Sequence, residues 1–172
     1  MSQQRLRSLL SSFCQATSVR DPEPILRSGN LTLRNIAFTL QAGKEVDPEG
    51  LYLYGDFGAL PTGPSSSAVL QRLLEINLHL FAPGAPVLGY NPATNRVLLI
   101  FRMVIDEVDA KQLAMALDQI AAYASQWREH HFLAASQAAH SDASAQAEHA
   151  GALQTNSSQE SGAITSRPQP AR

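Results

Sequence analysis

The sequence predicts an α+β domain built on a twisted antiparallel sheet, with the element order helix, three strands, helix, two strands, helix. Apolar residues recur at helical spacing in three segments, whereas the segments between them alternate with a period of two. The strands also come in runs, which is typical of antiparallel sheets packed against helices. The 172 residues, 44% of them hydrophobic, are enough for one domain with a hydrophobic core.

The first predicted element is an amphipathic helix from Ser2 to about Ala16. Its apolar face consists of residues at helical spacing, namely Leu6, Leu9, Leu10 and Phe13. Pro22 and Pro24 then predict an irregular connection from Val19 to Leu26.

Three strands are predicted next, separated by polar or turn-forming residues. They are Leu31 to Arg34, Ile36 to Gln41, and Gly50 to Phe57. In the last of them leucines alternate with tyrosines from Leu51 to Tyr54, so one face is aliphatic and the other is aromatic with polar tips.

The central helix has more apolar surface than one core requires. Its apolar residues cover an arc of about 200°, whereas a surface helix needs about 100°. They are Val69, Leu70, Leu73, Leu74, Ile76, Leu78, Leu80 and Phe81. The surplus predicts contact with a second body, most simply the same helix of another subunit, although a helix sandwiched inside one domain also explains it. Ser66 or Ser67 is the predicted cap, and Ala82-Pro83-Gly84 ends the helix.

Asn77 falls in the middle of this apolar arc. A buried amide needs a hydrogen-bonding partner. Such a group can fix the register between packed helices, or it can bond to nearby backbone, and the sequence leaves both interpretations open.

A β-hairpin follows, with strands at Val87 to Tyr90 and Arg96 to Ile105 and turn formers between them. The run Val97 to Phe101 lacks polar alternation, which predicts that both faces of this strand are covered. A last helix is predicted to begin near Asp109, a favourable N-cap. Its apolar stripe is Leu113, Leu117, Ile120, Ala124 and Trp127.

Composition argues against several classes of partner. The formal net charge of −2 and the pI near 6.2 give no basic surface for nucleic acid or an anionic membrane. Cys14 is the only cysteine, which excludes an internal disulfide, and no long apolar run predicts a signal peptide or membrane span. We therefore expect a soluble cytoplasmic protein without membrane insertion.

We find no catalytic or ligand-binding signature, so the sequence predicts neither an enzyme nor a cofactor. Gly43-Lys44 lacks the upstream glycine and the following hydroxyl residue of a phosphate loop. Cys14 borders the apolar stripe of the first helix, as a structural cysteine does. His130 and His131 would point about 100° apart on a helix, which does not suit one metal ion.

The composition changes after about Ala135. Residues 136–172 are mostly Ala, Ser, Gln and Gly, with Leu153 and Ile164 as the only larger aliphatics. We therefore expect a folded domain over residues 1–135 and a low-complexity, disordered tail over residues 136–172.

The chain resembles the Tir-chaperone (CesT-like) family, the class I chaperones of bacterial type III secretion. The resemblance lies in the element order, in LLEINL (73–78), in VLGYNPATNRVLLI (87–100) and in the final helix ending at Trp127. It implies a homodimeric chaperone of the bacterial cytoplasm, without ATPase activity, which binds the N-terminal segment of a secreted effector in extended, non-globular form. It also implies the secretion-apparatus ATPase as a further partner.

Two sets of site residues follow from the resemblance. The dimer-interface candidates on the central helix are Leu70, Leu73, Leu74, Asn77, Leu78 and Phe81. The candidates for binding the secreted client are Leu31, Leu33, Phe38, Leu40, Leu53 and Tyr90, for each of which core packing is at least as good an explanation.

The proline-bearing segment 22–29 and the tail depart from the family pattern. The alternative from another class is a dimeric regulatory or scaffold module that binds a folded protein, and an enzyme ranks third. The first two hypotheses differ in the state of the partner, which is extended for a chaperone and folded for a scaffold.

Overall fold

The computed structural model describes residues 2–133, with the predicted elements in the predicted order, one further α-helix and a short 3-10 helix at Ile105–Glu107. The helices are α1 (Ser2–Ala16), α2 (Glu23–Ser28), α3 (Ser65–His79) and α4 (Ala110–His130). The strands are β1 (Asn30–Leu33), β2 (Ile36–Ala42), β3 (Gly50–Ala59), β4 (Val87–Asn91) and β5 (Arg96–Val104). The predicted tail, residues 136–172, lies outside the described residues and stays a prediction.

The five described strands form one antiparallel sheet in the order β1-β2-β3-β5-β4. A two-residue turn joins β1 to β2, with positive φ at Arg34 (50°) and Asn35 (62°), as tight hairpins require. The predicted hairpin of β4 and β5 is confirmed. Strands β1 and β4 are therefore the two edges of the sheet.

One face of the sheet carries the hydrophobic core. Its largest fully buried side chains include Trp127, Phe38, Phe57, Leu10, Leu40 and Leu53. Helix α4 lies so close to β3 that a Cβ on Gly55 would be 2.7 Å from Cγ2 of Ile120. The predicted stripe of α4 is confirmed, because each of its residues is buried.

The opposite face of the sheet is much more open. By the strand register, Tyr54 and Ile100 lie side by side there, and Val87 lies beside Ile100. Leu98 and Ile100 are half-buried, and Val87 is exposed. The prediction that both faces of β5 are covered is therefore right for one face only. Within residues 2–133, the core covers one face of β5 and no helix covers the other.

Helix α2 replaces the irregular connection that the prolines predicted. Pro22 and Pro24 lie at its N-terminus, where a backbone N–H has no partner within the helix and proline is tolerated. The N–H of Leu26 donates to the carbonyl of Pro22 (2.9 Å). Gly29 ends the helix in the left-handed conformation (φ 69°) and donates to Ile25 (2.8 Å).

The two predicted helix caps have different outcomes. Asp109 caps α4 in a capping box: its side chain accepts from the N–H of Gln112 (2.7 Å), whose side chain accepts from the N–H of Asp109 (2.9 Å). Helix α3 begins after Pro64 without a side-chain cap, so the serine cap was wrong. The Ser66 hydroxyl instead donates to the Gly63 carbonyl (2.7 Å).

Candidate binding surfaces

A surface cleft of about 1100 Å³ lies between β1 and α4, and we call it the β1 cleft. Its floor is β1, its far wall is α4, and α1 and α2 close one end. The apolar lining includes Phe13, Val19, Ile25, Leu31, Leu33 and Met115. The cleft therefore offers an apolar surface directly beside a sheet edge.

The backbone of β1 at this cleft is available for pairing. The N–H of Leu40 donates to the carbonyl of Gly29 (2.8 Å), so in an antiparallel ladder Leu31 and Leu33 also face β2. Thr32, between them, must point its N–H and C=O away from the sheet. No described residue pairs with these two groups. An added strand could form its ladder here.

The other edge of the sheet is bonded at one residue, Leu88. The side-chain amide of Asn77 in α3 donates to the carbonyl of Leu88 (2.9 Å), and its oxygen accepts from the N–H of Leu88 (2.8 Å). Both outward-facing groups of Leu88 are therefore satisfied. Of the two interpretations of Asn77, the structure shows the bond to nearby backbone.

Helix α3 presents a separate row of exposed apolar side chains. Leu74, Leu78 and Phe81 follow at helical spacing and are 70%, 75% and 89% exposed. Val87, at the start of β4, is 51% exposed. We call Leu74, Leu78 and Phe81 the α3 stripe. Large apolar side chains grouped in this way mark an interaction surface.

A second, smaller cleft of about 400 Å³ lies on the core side of the sheet between α3, the β4–β5 hairpin and α4, and we call it the β4 cleft. Its lining includes Ile76, Leu80, Pro86, Phe101, Tyr123 and Phe132. Ala116 and Gln119 of α4 line both clefts, so the two clefts adjoin along this helix.

The structure corrects half of the predicted client-binding set. Phe38, Leu40 and Leu53 are 0–1% exposed in the core, because β2 and β3 are interior strands, so they offer no surface to a client. Leu31 and Leu33 are half-buried and line the β1 cleft. Tyr90 is 39% exposed, on edge strand β4.

The predicted dimer residues divide between the two sides of α3. Leu74, Leu78 and Phe81 face outward. Leu73 is 4% exposed and, like half-buried Leu70, packs with the core; the Asn77 amide bonds to Leu88. Leu73 and Asn77 are thus already used within the protomer, and they can support a dimer surface only by orienting the helix.

The α4 wall of the β1 cleft was not predicted from the sequence. Met115 is 63% exposed although it is large and apolar. It lies outside the buried stripe of α4, and this departure from the stripe was the available signal. Ile25 was missed because its segment was not predicted to be helical.

Polar contacts fix α4 to the sheet around the clefts. Arg34 in the β1–β2 turn forms an ion pair with Asp118 of α4 (2.6 Å). Arg128 donates to the carbonyls of Phe57 (3.3 Å) and Asn35 (3.1 Å). The Arg34–Asp118 pair and the bond from Arg128 to Asn35 thus connect α4 to the β1–β2 turn.

We searched residues 2–133 for a metal site, a reactive cysteine and a membrane-spanning helix. No group of three or more His, Cys, Asp or Glu side chains between residues 2 and 133 could hold a metal ion. Cys14 is 4% exposed, and burial raises the pKa of its thiol, which disfavours the nucleophilic thiolate. None of the helices in this range is long and apolar enough to cross a membrane.

The structure is that of a small α+β protein in which helices back an antiparallel sheet and apolar clefts lie beside its edge strands. The sequence pattern of the Tir chaperone protein (CesT) family matches residues 8–128. The chain belongs to this family. No curated protein sequence matches the chain significantly.

Three solved complexes contain similar folds. The ExsC-ExsE complex gives a TM-score of 0.60 at 17% identity, covering 74% of this chain and 94% of that chain. The HopA1-SchA chaperone-effector complex gives 0.55 at 20%, covering 75% and 97%. The Yersinia pestis type III secretion chaperone SycH, with a stable fragment of YscM2, gives 0.50 at 18%, covering 70% and 98%.

Proposed function

We propose that the protein is a type III secretion chaperone that binds the N-terminal segment of one or more secreted effectors in extended form and performs no catalysis. Family membership supports the class of function. The observation that carries the mode of binding is the open edge at Thr32 beside an apolar cleft of about 1100 Å³. We place the protein in the bacterial cytoplasm, with the secretion-apparatus ATPase as a further partner.

Strand addition at β1 accounts for recognition of an extended segment. The segment would pair with the N–H and C=O of Thr32 and direct alternate side chains into the β1 cleft. Backbone pairing is independent of sequence, whereas the cleft selects apolar side chains. Effector segments of different sequence could therefore bind at the same edge.

The energetics require more contact than the β1 cleft alone provides. Ordering one residue costs about 1–2 kcal/mol of backbone entropy, while a fully buried aliphatic side chain gains about 1.5–3 kcal/mol. In an added strand only alternate residues face the cleft, so the two terms nearly cancel. A long client segment that also reaches the β4 cleft would supply the remaining area.

The protein acts as a homodimer through the α3 stripe in this proposal. Its members, Leu74, Leu78 and Phe81, are large and apolar, and monomeric proteins rarely expose a group of such side chains. A two-fold interface would place each stripe against its copy and bury both. The dimer would then carry two β1 clefts and two β4 clefts for one client chain to follow.

The proposal is tested by affinity purification of the tagged full-length chain from its native bacterium under secretion-inducing conditions, followed by mass spectrometry. We expect one or a few secreted proteins bound through their N-terminal regions, with the bound segment protected from protease but non-globular. Recovery of a folded regulator alone would favour the scaffold alternative.

Two variants locate the binding site in the same experiment. Met115→Asp places a charge in the β1 cleft, and we expect at least a tenfold loss of the recovered client. Val46→Asp is the matched control, because Val46 is fully exposed in the β2–β3 connection and lines neither cleft. Equal recovery with both variants would remove the β1 cleft from the proposal.

A further inference from the structure

We propose that Asn77 closes the β4 edge of the sheet to strand addition, so that an extended segment can add only at β1. The identity of that segment rests on the proposed function. The closure of the edge does not, and it can be tested with the protein alone.

The two edges of the sheet differ in what they leave unpaired. At the β1 edge, Thr32 faces outward with both backbone groups free among the described residues. At the β4 edge, Leu88 faces outward, since Asn77 reaches both of its groups from outside the sheet. Strand alternation places Tyr90 in the same orientation as Leu88.

The Asn77 amide pairs with Leu88 as a neighbouring strand would. It supplies one donor and one acceptor to the two groups of a single residue, at 2.9 Å and 2.8 Å. An apolar side chain at this position would satisfy neither group. Val69 and Leu73, on the same helix, are 0% and 4% exposed and fix the side of α3 that faces the protomer.

The bonds to Asn77 interrupt the β4 edge. A strand added along β4 would meet Leu88, whose N–H and C=O are already bonded, although the backbone of Tyr90 has no partner among the described residues. At the β1 edge the corresponding groups of Thr32 are free among the described residues, so an added strand would meet no side chain already bonded to them. An unprotected β4 would instead be a template for another strand, including β4 of a second copy.

The test compares the wild-type protein with Asn77→Ala in full-length form, using sedimentation or light scattering over a range of concentrations. We expect the wild type to keep one mass and Asn77→Ala to rise at least twofold above it as concentration increases. Tyr90→Pro in the Asn77→Ala background should restore the wild-type mass, because proline removes the outward N–H needed for edge pairing.

Hydrogen exchange of the Leu88 amide accompanies the mass measurement. We expect it to be protected in the wild type and to exchange at least tenfold faster in Asn77→Ala. A folded Asn77→Ala that keeps the wild-type mass, or a mass increase that Tyr90→Pro does not reverse, would overturn the proposal. If Asn77→Ala does not fold, Asn77→Asp, which keeps the acceptor but replaces the donor with a charged oxygen, is measured in the same way. None of these outcomes depends on a client.

Discussion

At the scale of single residues, Asp47 holds the β2–β3 connection to the sheet. Its carboxylate accepts from Nε and Nη2 of Arg102 (2.7 Å each) and from the Tyr52 hydroxyl (2.6 Å). These hydrogen bonds lower the pKa of Asp47 from 3.8 to about 2, with that of Arg102 as the largest cause. The pKa of Tyr52 is raised by the same carboxylate.

We expect Asp47→Asn to reduce stability at neutral pH but not in strong acid. The pKa of Asp47 is lower in the folded state than in the unfolded chain, so its contribution is complete above about pH 4 and is lost as the pH falls through about 2. Urea unfolding at pH 7, 4 and 2.5 measures the difference from wild type. Glu45→Gln, in the same connection, is the control. A difference that stays constant over this pH range would contradict the assignment.

The period-two patterns predicted which side chains share the apolar face of a strand, but not which of them are accessible to a partner. Leu31, Phe38 and Leu53 share the same period-two pattern, yet Leu31 lines a cleft and the other two are buried. The difference arises because β1 is an edge strand and β2 and β3 are interior. Strand order depends on pairing between distant segments, which local periodicity does not encode.

At the scale of elements, the two sides of α3 have different surroundings. Leu73 and Asn77 fasten it to the protomer, while Leu74 and Leu78 point outward. The wide apolar arc of the sequence predicted apolar residues beyond those that the core uses, and Leu74 and Leu78 are exposed. The contact with a second body stays a prediction. Leu73 and Asn77 therefore set the orientation of α3, and this orientation leaves the α3 stripe exposed.

Leu74→Asp should dissociate the proposed dimer. Burying an unpaired carboxylate in an apolar interface costs several kcal/mol, commonly about 3–5 when a buried charge lacks its partner. Light scattering should show half the wild-type mass, and circular dichroism should be unchanged because Leu74 is 70% exposed in the protomer. Gln71→Asp, on the same helix, should leave the mass unchanged. A wild-type mass for Leu74→Asp would place the interface elsewhere.

At the scale of the whole molecule, the sequence predicted the fold class and the helix and strand order, while the clefts came only from the structure. The β1 cleft joins residues near 13, 25, 32 and 115, which no single motif contains. Its α2 wall was missed because prolines at a helix start look locally like those of an irregular loop. A cavity between distant elements is a property of packing, so it appears only once the chain is folded.

Hydrogen exchange of the complete complex should distinguish the two sheet edges. With the co-purified client bound, we expect the Thr32 amide to gain protection because an added strand pairs with it. The Tyr90 amide should exchange as it does in the free protein. Protection of Tyr90 without Thr32 would show that the client uses the other edge.

The close contact between Gly55 and Ile120 sets how near α4 can come to the sheet. Because position 55 carries no side chain, Ile120 packs directly on β3, and the Arg34–Asp118 ion pair joins the same helix to the β1–β2 turn. A Cβ at position 55 would have to displace Ile120, and with it the helix that forms the far wall of the β1 cleft. The width of the cleft therefore depends on a glycine that is not part of its lining.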